Sequence, residues 1–98
     1  MKIRRLPEAI ADVDAIFAFI AQDNLPAADR MVERIAKALD RVADFPASGA
    51  LRPDAGINIR GVNVGVYVVY YRIIDDVIEV VRVLHGARDI RRLDDSFG

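Results

Sequence analysis

Two hydrophobic periods follow one another along the chain, a helical one first and a strand-like one after it. Lys2 to Leu6 is short and reads as an edge strand. Pro7 suits the first turn of a helix, where a missing N–H leaves no intrahelical bond unmade. From there to Gln22 the apolar positions Ala9, Val13, Ile16 and Ile20 recur at helical spacing, and Ile10 and Phe17 widen the stripe. Asp23-Asn24-Leu25-Pro26 breaks this helix and restarts another, with Asn24 as its N-cap. The second helix runs to about Phe45 on Ala28, Met31, Val32, Ile35, Leu39 and Val42. Its other side carries Asp29, Arg30, Glu33, Arg34, Lys37, Asp40 and Arg41, with Glu33 and Lys37 in the favoured order, and reads as a solvated face. The short break between the two amphipathic helices predicts an antiparallel helical hairpin.

Phe45-Pro46 ends that hairpin, and the stretch to Gly56, with Pro46, Gly49 and Pro53, reads as an ordered loop. Three strands are predicted near 57–63, 66–74 and 77–84, the last two joined by an Asp75-Asp76 turn. The fold class is therefore α+β: an N-terminal strand, an antiparallel helical hairpin, then a three-stranded antiparallel sheet, in one domain over residues 1–98.

A turn at Asp75-Asp76 pairs residues whose numbers sum to 151, which puts Arg72 opposite Glu79. One face of the hairpin then collects Tyr67, Val69, Tyr71, Ile73, Ile78, Val80, Arg82 and Leu84, and is expected to meet the helices. Arg82 on that face requires a carboxylate partner. The other face holds Val66, Val68, Tyr70, Arg72, Glu79, Val81, Val83 and His85. Both helices precede the sheet and can cover one face, so this second face is expected to be a partner surface.

Composition narrows the classes. The 98 residues are 53% hydrophobic and 30% charged, as in an ordinary globular domain. Absence of cysteine excludes thiolate chemistry and fits a reducing cytoplasm, the expected location. No apolar run approaches the roughly 20 residues of a membrane span, and the first seven residues lack the core of a signal peptide. A net charge of −1 argues against general or sequence-specific nucleic-acid binding, although Arg82, Arg88, Arg91 and Arg92 concentrate positive charge near the end. A single histidine, His85, makes no metal cluster, and no phosphate-binding glycine loop is present, so no cofactor or metal is expected. Arg60, Arg82 and Arg88 with His85 are the one set that could move a proton and stabilise a phosphorane-like state. Structural pairing of the same arginines is the reading that composition favours.

Several stretches, in order, resemble the ParE branch of the RelE/ParE superfamily of bacterial toxins. They are Leu6-Pro7-Glu8-Ala9 with Asp12 and Ile16; Ile20-Ala21-Gln22-Asp23-Asn24 with Ala27-Ala28; Phe45-Pro46 with Gly49; and Arg60 before Asn63-Val64-Gly65. Most specific is Tyr67-Val68-Val69-Tyr70-Tyr71-Arg72 leading into Val81-Arg82-Val83-Leu84-His85-Gly86-Ala87-Arg88-Asp89. The resemblance implies the same fold, a ParD-like antitoxin as hetero-oligomeric partner, and DNA gyrase as target. It implies Arg60, His85, Arg88 and Arg91 as target-binding candidates, and Tyr70, Arg72 and Arg82 as antitoxin-binding candidates.

RelE-like relatives are instead ribosome-dependent mRNA endonucleases. Arg60 and Arg88 match positions of that branch, but its central-strand arginine is replaced by Tyr67, and Asp94 stands where an aromatic acid/base is expected. The resemblance therefore implies a toxin without catalytic residues, with the endonuclease and a non-toxic antitoxin-binding relative as alternatives. One departure touches the ParE pattern itself: Ala50 follows the loop glycine where arginine is frequent.

Overall fold

Pro7 and Asn24 set the starts of the two helices. In the computed structural model, which describes residues 1–87, helix α1 spans Pro7–Ala21 with the proline in its first turn. Helix α2 spans Leu25–Asp44, and the Asn24 side chain accepts a hydrogen bond from the Ala27 N–H at 3.0 Å. Before them lies strand β1 (Lys2–Arg5); after them come β2 (Ala50–Leu51), β3 (Arg60–Val64), β4 (Tyr67–Ile74) and β5 (Val77–His85). Among the described residues no helix is long and apolar enough to cross a membrane.

The strands form one five-stranded mixed sheet in the order β1-β5-β4-β3-β2. The expected three antiparallel strands are its centre. The structure adds two-residue β2 at one edge and docks β1 parallel to β5 at the other, with Lys2 opposite Val77 and Arg5 opposite Val80. Asp75 and Asp76 both take positive φ, 50° and 61°, as a two-residue hairpin turn requires.

The expected register holds from Ile74↔Val77 to Tyr71↔Val80, then shifts: Tyr70 faces Arg82 and Tyr67 faces His85. Val81 is the extra residue of a β-bulge. Beyond it the faces exchange, which corrects the expected assignment. Val83 joins the helix-side core with Ala9, Val13, Ile16, Ile35, Leu39, Val69 and Val80, while Leu84 packs on the opposite side with Val68, Tyr70 and Val81.

That opposite side is not left to a partner. Residues 52–59 fold across it, and Ala55 and Ile59 are fully buried against Val68, Tyr70, Val81 and Leu84, with Leu6 closing the edge. Burying Ile59 contributes about 1.5–3 kcal/mol and the Ala55 methyl about 0.8 kcal/mol, which favours laying the loop on the sheet.

Candidate functional site

Strand β5 outruns β1 by five residues, because β1 pairs only with Val77 to Val80. Helix α1 covers the open edge by a side chain. Asp12 accepts the Val83 backbone N–H at 2.9 Å and holds Arg82 through two bonds, Nε to Oδ2 at 2.7 Å and Nη2 to Oδ1 at 3.0 Å. Glu8, one helical turn earlier, approaches Arg82 Nη1 at 3.3 Å. The hydrogen bonds to Asp12, first, and the nearby carboxylate charges raise the Arg82 pKa still further. The expected carboxylate partner of Arg82 is thus found within the chain, on α1.

Beside this lock runs an open groove of about 270 Å³ between α1 and the end of β5. Asp12, Ala15, Ile16 and Phe19 line one wall, and Tyr67, Val83, Leu84 and His85 the other. Phe19 is 70% exposed at its rim. The His85 Nδ1 accepts the Ala87 N–H at 3.1 Å, which leaves Nε2 to carry the proton of the neutral ring. Its ring meets Tyr67 edge to face, with centroids 5.8 Å apart. Phe19 was missed in the sequence because it lies off the helical stripe; an apolar side chain in that position is the signal that marks it.

Arg60 is at the far side of the sheet. Its Nη1 donates to the Gly49 carbonyl at 2.8 Å and the Ala47 carbonyl at 3.2 Å. Tyr71 fastens the same loop: its hydroxyl donates to the Pro46 carbonyl at 2.7 Å and accepts the Gly49 N–H at 2.9 Å. A Cβ on Gly49 would stand 2.6 Å from that hydroxyl, which explains glycine there. Arg60 pairs with Tyr71 on one side of β4, and His85 with Tyr67 on the other. Strand rise and spacing put their Cα atoms about 16 Å apart, so the structure does not bring these two candidates together. Arg88 and Arg91 lie outside the described residues.

The two remaining candidates are embedded in the sheet. Arg72 donates to Glu79 at 3.1 Å, as the register predicted, and Arg4 reaches the other oxygen at 3.2 Å, which makes a row across β1, β5 and β4. Tyr70 is 1% exposed, beneath Arg52, whose guanidinium carbon is 5.4 Å from the ring centroid. Placing Tyr70 on a partner surface is corrected accordingly: the chain's own loop covers it. Arg52 in turn donates two hydrogen bonds to Asp54, at 3.2 and 3.0 Å, which hold that carboxyl below its usual range. Burial raises the Tyr70 phenol above its ordinary value.

Residues 3–90 match the family model described as ParE toxin of the type II toxin–antitoxin system, parDE. A relative named Toxin RelE2, from Caulobacter vibrioides, is 38% identical over 81 residues, 82% of this chain and 89% of that protein. The fold is similar to that in the chromosomal ParDE toxin–antitoxin system from P. aeruginosa, with a TM-score of 0.74 at 20% identity over 87% of this chain and 95% of that one. It also resembles the toxin–antitoxin complex RelBE2 from Mycobacterium tuberculosis, with a TM-score of 0.54 at 21% identity over 86% and 95% of the two chains. With nearly its whole length matched to the family model and the ParE/RelE-like architecture in place, the chain belongs to the ParE family and is a toxin of a type II toxin–antitoxin system.

Proposed function

We propose that this toxin acts in the cytoplasm by binding DNA gyrase without chemistry of its own, and that a ParD-like antitoxin neutralises it in a hetero-oligomer. The observation that carries the non-catalytic reading is the separation of Arg60 from His85 on opposite sides of β4, with Arg60 already donating to two loop carbonyls. General acid–base work needs the two groups within reach of one reacting phosphate. Tyr67, at the central-strand position where the endonucleases have arginine, is buried in the helix-side core. For the antitoxin, the groove between α1 and β5 supplies an exposed Phe19 and, past the Val83 N–H that Asp12 takes, the end of β5 at His85 that β1 does not reach. Both features suit an added apolar segment of a partner.

The second reading, an mRNA endonuclease, is favoured by the relative named RelE2. Inducing the chain alone in a bacterial host separates the two. Filamentation with SOS induction, together with inhibition of purified gyrase in a supercoiling assay, is the expected result. Rapid translation arrest with cleaved mRNA and unaffected supercoiling overturns the gyrase reading.

A further inference from the structure

Strand β2 ends the sheet on the side away from β1 and β5, and among the described residues no strand pairs with its outer edge. Leu51 faces Arg60 and Ala50 faces Gly61, while the Arg52 N–H donates to the Ile59 carbonyl at 2.8 Å. Bonded and non-bonded pairs alternate along an antiparallel ladder, so Leu51 and Arg60 form a non-bonded pair. The Leu51 N–H and C=O therefore point out of the sheet, away from β3. Charge or proline usually blunts such an edge. Pro53 does limit the length of this one, but the residue that presents its backbone is a leucine, 55% exposed.

The surroundings of Leu51 are apolar too. With Pro53, Gly56, Ile57 and Asn58 it lines a shallow hollow of about 210 Å³ that contains no charged side chain. Ile57 in that hollow is 71% exposed. On the helix side Leu51 shares a second hollow, of about 220 Å³, with Asn58, Arg60 and the half-exposed Ile73. Arg52, the cation next to the strand, brings its own counter-charge in Asp54 at 3.0 Å.

We propose that a second copy of this chain docks on this edge, β2 against β2, antiparallel about a twofold axis at Leu51. Each Leu51 exchanges two N–H···O bonds with its image, and the apolar surface of Leu51, Ile57 and Ile73 is buried between the copies. A twofold contact sets every group near its own image, so it tolerates little unbalanced charge. The edge meets that demand. Its hollow is uncharged and Arg52 is neutralised by Asp54. Arg60 stands one strand further in, which puts its image three strand spacings away, about 14 Å and beyond the Debye length of about 8–10 Å. A charged partner segment finds no counter-charge here. An unrelated extended peptide gains two bonds only, whereas a second copy adds an apolar patch of its own. The contact is small, roughly 1,000–1,200 Å² in total, and implies a weak dimer that dissociates in the micromolar range or above. The twofold axis closes it, so no fibre grows. The α1–β5 groove lies towards the other edge of the sheet, so the dimer is compatible with a segment bound there and does not depend on which target is poisoned.

Cross-linking tests the register directly, because the chain has no cysteine of its own. Bonded antiparallel partners have Cα atoms about 5.5 Å apart, within the reach of a disulfide. Mild oxidation should turn most of Leu51→Cys into a disulfide dimer and leave Ile10→Cys, exposed on α1, mostly monomeric. Sedimentation velocity of the unmodified full chain should show a monomer–dimer equilibrium that depends on concentration. Leu51→Asp and Ile57→Asp should each weaken it by roughly tenfold or more, with circular dichroism matching wild type. Phe19→Asp, in the α1–β5 groove, should leave it unchanged. A monomer at every concentration, a dimer indifferent to Leu51→Asp, or one broken by Phe19→Asp instead overturns the proposal. If the Asp variants fail to fold, the cross-linking decides: Leu51→Cys that oxidises to dimer no faster than Ile10→Cys overturns it as well.

Discussion

Asp12 and Arg82 join the first helix to the last described strand across 70 residues of sequence, by two hydrogen bonds of 2.7 and 3.0 Å. The same Asp12 oxygen closes the β5 edge at the Val83 N–H. One carboxylate thus replaces the strand partner that β1 is too short to provide.

Asp12→Ala should therefore be among the more damaging polar substitutions. It leaves Arg82, whose side chain is 24% exposed, with the more exposed Glu8 alone, and frees the Val83 N–H. Removal of one partner of a fully buried pair costs 3–5 kcal/mol; partial exposure reduces that here to about 2–3 kcal/mol. Urea denaturation of Asp12→Ala, Arg82→Ala and the double variant should return a coupling of about 1–2 kcal/mol. Strict additivity would mean that the pair does not act as a lock.

Tyr71 and Gly49 make a second prediction. Tyr71→Phe removes both hydroxyl bonds and leaves the buried Gly49 N–H without its acceptor, at a cost of about 1–3 kcal/mol. Gly49→Ala should cost a similar amount, because the new methyl would stand 2.6 Å from the hydroxyl and 2.7 Å from Cε1 of the same ring. The two losses should combine to less than their sum, since Tyr71→Phe relieves part of the clash. Chemical denaturation midpoints check this.

Alkaline stability should depend on Tyr70. Burial raises its pKa in the folded chain above the ordinary 10.0, while the unfolded chain titrates near that value. A raised folded pKa means stability that is fully present below pH 10 and is lost as pH rises through the folded value. Denaturation midpoints should fall in that alkaline window in step with phenolate absorbance. Tyr70→Phe should remove this part of the dependence; an unchanged alkaline profile in that variant would locate it elsewhere.

His85→Ala bears on mechanism. Without catalysis, toxicity on induction should fall by no more than about tenfold, the share of a single target contact, since within the chain the exposed ring makes only one short-range bond to Ala87 and one edge contact to Tyr67. As a general acid or base, the same residue would account for about 10²–10⁴-fold in rate, and its loss would abolish toxicity.

Much of the fold could be read from local pattern. The helical spacing from Ala9 to Ile20 and from Ala28 to Val42, the cap at Asn24 and the Asp75-Asp76 turn each depend on neighbours within a few residues, and all appear where the sequence places them. The Arg72–Glu79 pair follows because it lies close to that turn. Past Tyr71 the sequence has no means to announce the bulge: Val80, Val81, Val83 and Leu84 are apolar alike, so a slip of one residue leaves the alternation looking equally good. Only packing decides it, by seating Val83 under the helices and turning Leu84 to the loop side. The same holds for the site. That Arg82 needed a carboxylate was legible from its apolar surroundings, but that Asp12 supplies it, that residues 52–59 bury Tyr70, and that Arg60 holds the loop at Gly49 are contacts between distant segments. Such pairings depend on how the layers close on one another, and no periodicity along the chain encodes that.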